Sequence, residues 1–468
     1  MLFNSFAFII LVLVTFLIYY LPFLSKFQIQ ILIISSLIFY AYGQPYLLVL
    51  LLLSAAINIV TSYLVVNQDR KYRRVYATLG VCINVLILVF FKYSPLFAKT
   101  FFNTATDPGR YLLLIPLPIG ISFYTFEGIS LLIDVYSNKH HDVLTIDKSF
   151  KKHIYKTLFF ISFFPHLIAG PILKAYEFYP QIGPKKLTDI DWAYVFKKLI
   201  TGYFLKMTVA DNLSNFTFWM EYPYFKTLSS VELIAMVFGY SFQIFADFAG
   251  YSLIALGIAK MFGYDLMENF NFPYISASFS DFWRRWHISL STFLKEYLYI
   301  PLGGNRSGKV RTYINLIITM TLGGLWHGAA WSYAVWGLFH GGALAVERFF
   351  TRGRNDTEPG IWQSFLKRVV VFLFVTFAWI LFKLPFAHVI EYFSSIFANY
   401  KVSITFNNPF LIIIYSLPVI LYHLYYLGKS NTAIAGFFTK YQFVVYGLML
   451  FMIIVNSGPS GSFIYFQF

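Results

Sequence analysis

The chain has 468 residues, of which 58% are hydrophobic and only 12% charged, and its formal net charge is +15. Soluble domains carry roughly 25% charged residues, so this composition, with a mean hydropathy of +0.64, excludes a soluble fold and defines an integral membrane protein. The lone cysteine, Cys82, excludes an intramolecular disulfide and any metal site built on several thiolates.

Apolar runs recur along the whole chain, at about 2–21, 28–42, 45–66, 75–91, 111–133, 157–173, 194–213, 231–262, 312–326, 329–347, 365–384, 409–427 and 441–455. Most approach the ~20 residues that carry a helix across a bilayer. They are continuous rather than alternating, which argues for helices and against a barrel. No basic residue precedes the first run, so it lacks a signal peptide's n-region and is expected to be retained. No repeat or low-complexity linker divides the chain, and a single membrane domain over 1–468 is expected.

The positive charge is concentrated in a few loops. Arg70, Lys71, Arg73 and Arg74 form one group, and Lys139, Lys148, Lys151, Lys152 and Lys156 a second. Arg284, Arg285, Lys295, Arg306, Lys309 and Arg311 form a third, and Arg348, Arg352, Arg354, Lys367 and Arg368 a fourth. Placing all four on the cytoplasmic side satisfies the positive-inside rule along one alternating path. That path has about twelve spans and puts both termini outside. Segment 157–173, with Lys156 and Lys174 at its ends, is left over and reads as re-entrant, which requires protein to cover its backbone. The basicity is therefore topological and argues against a nucleic-acid partner.

Polar residues inside the apolar runs mark candidate chemistry, because such groups are costly in a bilayer unless paired or functional. His166 lies in the re-entrant segment, where its plainer role is to cap irregular backbone. Glu127 and Asp134 fall toward a span end and are expected near water. Asp247 is placed to pair with a cation or to orient a histidine. His140, His141 and Asp142 have metal-ligand composition but no third helix-spaced ligand, so no metal site is assigned.

Residues 278–300 read as one amphipathic helix. Ser278 with Asp281 resembles a capping pair, and Trp283, Trp286, His287, Leu290, Leu294, Tyr297 and Leu298 share a stripe. His287 thus falls on the apolar face, and its plainer reading is a buried, hydrogen-bonded histidine in an interfacial helix. Gly303 to Lys309 fits G-x-x-x-x-G-K, but Val310 stands where a magnesium-binding hydroxyl would be and no strand precedes the loop. A basic cytosolic turn is the better account. His327 sits in a Gly323-Gly-Leu-Trp-His-Gly328 segment, where the glycines let a neighbouring helix or a ligand approach closely. It is read either as a core histidine or as a general base in a dry tunnel. No serine elbow of the G-x-S-x-G type is present. A tunnel would join a cationic cytosolic mouth to the two histidines, His287 and His327, at different depths.

At these residues the chain resembles the membrane-bound O-acyltransferase family, in its bacterial branch that modifies exported cell-envelope polymers. The likeness runs through 1–5, 118–126, 163–171 and 246–251, and its most specific blocks are 282–290 and 324–328. It is more similar to the membrane subunits of alginate and peptidoglycan O-acetylation than to D-alanyl transferases of teichoic acids. The resemblance implies that His327 is the principal catalytic histidine and His287 its paired position. The last residues, Phe463 to Phe468, resemble a terminal aromatic motif that implies Tyr465 as an extracytoplasmic acyl relay; the plainer reading is an interfacial anchor. It further implies acetyl-CoA as donor, its phosphates met by Arg284, Arg285, Lys295 and Arg306, and no permanently bound cofactor. An extracytoplasmic O-acetyltransferase would be the partner, a polysaccharide the indirect acceptor, and the bacterial inner membrane the location. D-alanyl transfer is the alternative within the family, and a non-enzymatic transporter the alternative of another class.

Overall fold

In an apolar surround the main chain has no water to bond to, so segments this apolar close their hydrogen bonds internally as helices. The computed structural model describes residues 1–138, 142–306, 308–351, 360–404, 407–428, 431–459, 461, 463 and 464. Among the described residues every regular element is helical. Seven helices are long and apolar enough to cross a membrane: Pro22–Ala41, Pro45–Asn67, Lys71–Phe101, Ser230–Met261, Ile361–Lys383, Asn408–Gly428 and Ile434–Val455. The chain is thus an all-α, multi-pass membrane protein. Other runs of the expected twelve take different forms. Phe6–Tyr19 is a shorter apolar helix, and Lys309–His327 and Trp331–Thr351 are long but richer in glycine and polar residues.

The chain divides into two compact units, residues 1–199 with 254–267, and residues 200–253 with 268–468. In the first, polar side chains stitch apolar helices together, as expected where the surround offers no hydrogen bonds. Asn58 and Asn84 exchange amide bonds of 3.2 and 2.9 Å between neighbouring helices. Segment 157–173 is interrupted: helix Phe150–Ser162 stops, Phe164–Leu167 makes one turn, and no helix forms again until Ala175. Pro165 and Pro171 account for the breaks, and residues 159–175 are buried throughout. Protein therefore covers this irregular backbone; Ser36 Oγ, for example, accepts from the Phe164 N–H at 3.1 Å.

Two of the polar expectations are corrected here. His166 Nδ1 lies 2.8 Å from Glu127 Oε1, and both side chains are fully buried, so His166 pairs with a carboxylate instead of capping backbone. Glu127 does not reach water, and Asp134 is also buried. His140 and His141 lie outside the described residues.

In the second unit, helices Lys309–His327 and Trp331–Thr351 form an antiparallel hairpin whose backbones touch at glycines. A Cβ on Gly324 would strike the Tyr333 carbonyl oxygen, and one on Gly337 the Met320 carbonyl oxygen. No side chain fits at either crossing, so the glycines set the helix separation. We expect Gly324→Val to lower the apparent melting temperature in detergent, with a cost of about 1–3 kcal/mol for overpacking. Gly342→Ala, at a position with nothing within 4 Å of the added carbon, serves as the comparison and should show no loss.

Candidate active site

Ser278 caps the amphipathic segment as its spacing suggested, its side chain accepting from the Asp281 N–H at 3.0 Å. The segment is nevertheless not one helix. Phe279–Arg285 ends, His287 takes a left-handed conformation with φ +43°, and Ile288–Leu294 begins anew. A left-handed backbone is uncommon outside glycine, although Asn, Asp and His adopt it more readily than most. The break frees main-chain donors, and Asn269 takes them: its carbonyl accepts from Ile288 N at 2.9 Å, and its Oδ1 from Ser289 N at 3.2 Å and Ser289 Oγ at 2.6 Å. Asn269 Nδ2 in turn donates to Ser252 Oγ at 3.2 Å. His287 therefore sits at a stitched kink that hydrophobic spacing could not show.

The kink places His287 beside His327, with ring centroids 6.0 Å apart. Sequence reasoning set them at different depths along a path; in the structure they form one cluster. His327 ends its helix, and its ring is walled by Trp326, Trp336 and Phe382 at centroid distances of 5.2, 5.4 and 5.1 Å. His287 is fully buried and His327 nearly so. Burial pushes the His287 imidazole well below its ordinary range, because a charged ring would lose its hydration. It is therefore neutral at pH 7, with one ring N–H to donate and one nitrogen to accept.

A third histidine went unnoticed in the sequence. His340 is fully buried and lies 4.6 Å from Trp336, which also contacts His327. The signal was there in the four-residue spacing of Trp336 and His340, which puts both on one helix face.

The end of the chain packs into the same cluster. Phe463 stacks on Tyr251 at 4.4 Å and lies 5.9 Å from Phe248, whose ring meets His287 edge-on at 4.6 Å. Asp247 does pair with a cation: Lys206 Nζ lies 2.8 Å from Asp247 Oδ1 and 2.6 Å from Asp211 Oδ1. Asp247 Oδ2 also accepts from Ile464 N at 2.7 Å. Tyr465 lies outside the described residues. Lys206 and Asp211 were hidden inside the apolar run 194–213, where an ionisable pair five apart was the available clue.

The cations of the expected donor site divide. Arg284, Lys295 and Arg306 are exposed. Arg285 is engaged, with Nε 2.9 Å from Asp281 Oδ1, Nη1 donating to the Asn271 carbonyl at 3.2 Å, and its guanidinium over the Tyr426 ring. The first three are open to an anionic ligand; Arg285 holds the segment's fold.

Two neutral-capable imidazoles in a dry aromatic box suit proton transfer to and from an oxygen or sulfur, which is the chemistry of acyl transfer. Residues 18–394 match the MBOAT, membrane-bound O-acyltransferase family. The chain belongs to that family and is an acyltransferase. It is 38% identical over 396 residues to a probable alginate O-acetylase AlgI of Pseudomonas aeruginosa, covering 82% of this chain and 72% of that protein. It is 38% identical over 377 residues to the peptidoglycan O-acetyltransferase of Helicobacter pylori, covering 75% and 70%. A teichoic acid D-alanyltransferase of Bacillus subtilis is 28% identical over 285 residues, covering 58% and 70%.

The neutral state of His287 carries a pH dependence. Its folded pKa lies below the unfolded value of about 6.5, so the unfolded chain binds the extra proton and stability falls as pH drops below that value. Thermal melts between pH 7 and pH 5 should show this loss, and His287→Gln should reduce its slope, with other buried histidines such as His340 contributing the remainder. An unchanged slope in the variant would contradict a buried neutral imidazole.

Proposed function

We propose that this acyltransferase takes an acetyl group from acetyl-CoA on the cytosolic side and passes it, through Tyr465, to an extracytoplasmic O-acetyltransferase that esterifies a cell-envelope polysaccharide. The observation that carries this reading is the packing of Phe463 against Phe248, whose ring in turn meets His287. Tyr465 follows Phe463 by two positions in the sequence, which makes its phenol the candidate acceptor of the relay. The relatives named for O-acetylation, and the charge pattern that puts both termini outside the inner membrane, support the same direction of transfer.

In this mechanism the acetyl-CoA phosphates meet Arg284, Lys295 and Arg306 at a cytosolic mouth, and the thioester reaches the histidines through a tunnel. His327 accepts the phenolic proton of Tyr465 as the oxygen attacks the thioester carbonyl. The neutral His287 donates its N–H to the carbonyl oxygen as negative charge develops there. The C–O bond forms, the C–S bond breaks, and the departing thiolate takes the proton back from His327. The partner's nucleophile then displaces the tyrosine from the acetyl group, and a polymer hydroxyl receives it.

Peptidoglycan is the favoured polymer. The alginate and peptidoglycan relatives are equally similar at 38% identity, so the preference rests on a composition rich in Ile, Phe, Tyr, Asn and Lys, the signature of an AT-rich genome. The D-alanyltransferase relatives make D-alanine the rival cargo.

Purified full-length protein should release free CoA from acetyl-CoA and gain one acetyl mass on the terminal peptide containing Tyr465. His327→Ala should reduce this by about 10²–10⁴-fold, the usual worth of a general base, and Tyr465→Phe should abolish the added mass. Turnover unchanged in His327→Ala would overturn the catalytic assignment. A D-alanyl mass, gained when an activated D-alanyl carrier is supplied instead, would replace the cargo.

A further inference from the structure

Among the described residues, main-chain hydrogen bonds recur along the C-terminal segment. Asn212 Nδ2 donates to the Asn456 carbonyl at 2.9 Å, and Gly458 N donates to the Met207 carbonyl at 2.9 Å. Lys206 Nζ reaches the Gly461 carbonyl at 3.4 Å, and Ile464 N donates to Asp247 Oδ2 at 2.7 Å. The receiving surface has two built features. Met207 lies in a π-helical section, Phe204–Ala210, and such a section disturbs the regular ladder and leaves carbonyls available to other donors. Lys206 stands between two carboxylates, whose four oxygens one ammonium cannot satisfy, so the buried cluster calls for further donors. The Ile464 N–H supplies one.

The fit is close at one point. A Cβ on Gly458 would come within 2.6 Å of the Asp211 carbonyl carbon and 2.7 Å of the Asn212 nitrogen. Backbone atoms cannot yield as a flexible side chain would, so only glycine passes there. Phe463, stacked on Tyr251 and near Phe248, is a side-chain anchor that joins this set of contacts to the histidine cluster.

We propose that Lys206, Asp211 and Asp247, with the π-helical section and the Tyr251–Phe248 face, form a docking site for the chain's own residues 456–464, and that docking positions Tyr465 for acylation. The acylation half rests on the relay reading above; the docking half does not. Because recognition is by main chain, an acyl group on Tyr465 leaves the docking contacts unchanged. Release to the partner then requires breaking only a few hydrogen bonds. Asp247 and Lys206 are positioning residues in this scheme: they hold the tail and take no proton from it.

The test uses full-length protein in which Cys82, the only cysteine, is replaced by serine and Gly461→Cys supplies a reporter. A Cβ at Gly461 meets only Asp211 Oδ1, at an ordinary 3.5 Å, so the reporter is compatible with the docked state. The reaction rate of this thiol with a membrane-impermeant maleimide is compared across variants whose melting transitions are retained. Gly458→Val, Phe463→Ala and Asp247→Leu should each raise the rate about tenfold or more, as expected for losing a charge-assisted hydrogen bond or its steric equivalent. His327→Ala should leave the labelling rate unchanged while lowering acetylation of the terminal peptide about 10²–10⁴-fold. Gly458→Val leaves every residue of the cluster in place, so it separates lost docking from a damaged core. Rates equal to the parent's in all three docking variants would overturn the docking site. Raised rates with full Tyr465 acetylation would overturn its positioning role. Raised rates in a protein whose parent never acetylates Tyr465 would support docking and refute the relay.

Discussion

Every break in a helix within this chain has to find new partners for the main-chain groups it exposes, because an apolar surround offers none. The kink at Trp286 and His287 is where that requirement meets the chemistry. Asn269 accepts the freed N–H groups of Ile288 and Ser289, and the left-handed turn it stabilises aims the His287 ring at His327. A continuous helix would carry His287 on a smooth apolar stripe, fixed in direction by its neighbours. The geometry of the histidine pair is thus a product of local strain offset by one buried amide.

The same requirement governs the rest of the molecule. The interrupted segment after Ser162 is covered on all sides and carries His166 against Glu127, each the other's partner. Lys206 sits between Asp211 and Asp247, and the chain's end supplies a donor to the remaining oxygen. Burying an ion cluster of this kind contributes little net stability, since desolvation offsets most of the Coulombic gain. What it does supply is direction. With Lys206 on Oδ1, Asp247 keeps Oδ2 as the oxygen that accepts the Ile464 N–H.

The aromatic residues have a complementary role. Trp326, Trp336 and Phe382 pack edge-on around His327, and Trp379 stacks on Trp336, so aromatic rings line the histidine cluster. Cationic side chains are absent from this wall among the described residues. Arg284, Lys295 and Arg306 instead lie exposed, where a hydrated phosphate can meet them without being stripped of water.

Composition and run length alone determined that the chain is helical and crosses the membrane many times, because the cost of exposed main chain in a bilayer leaves no other solution. The two Trp-flanked histidines and the cap at Ser278 were also legible as local signals of residue type and spacing, and the charges at its two ends marked segment 157–173 as re-entrant. Beyond reach were the facts that depend on what a distant residue offers. The kink at His287 needs Asn269, eighteen positions earlier; Glu127 stays dry because His166 meets it; Asp247 holds the chain's end because Lys206 fixes one of its oxygens. Hydrophobic periodicity reports which face of a segment turns inward. Only the tertiary structure decides which polar groups meet there, since those pairings are set by packing and carry no period along the chain.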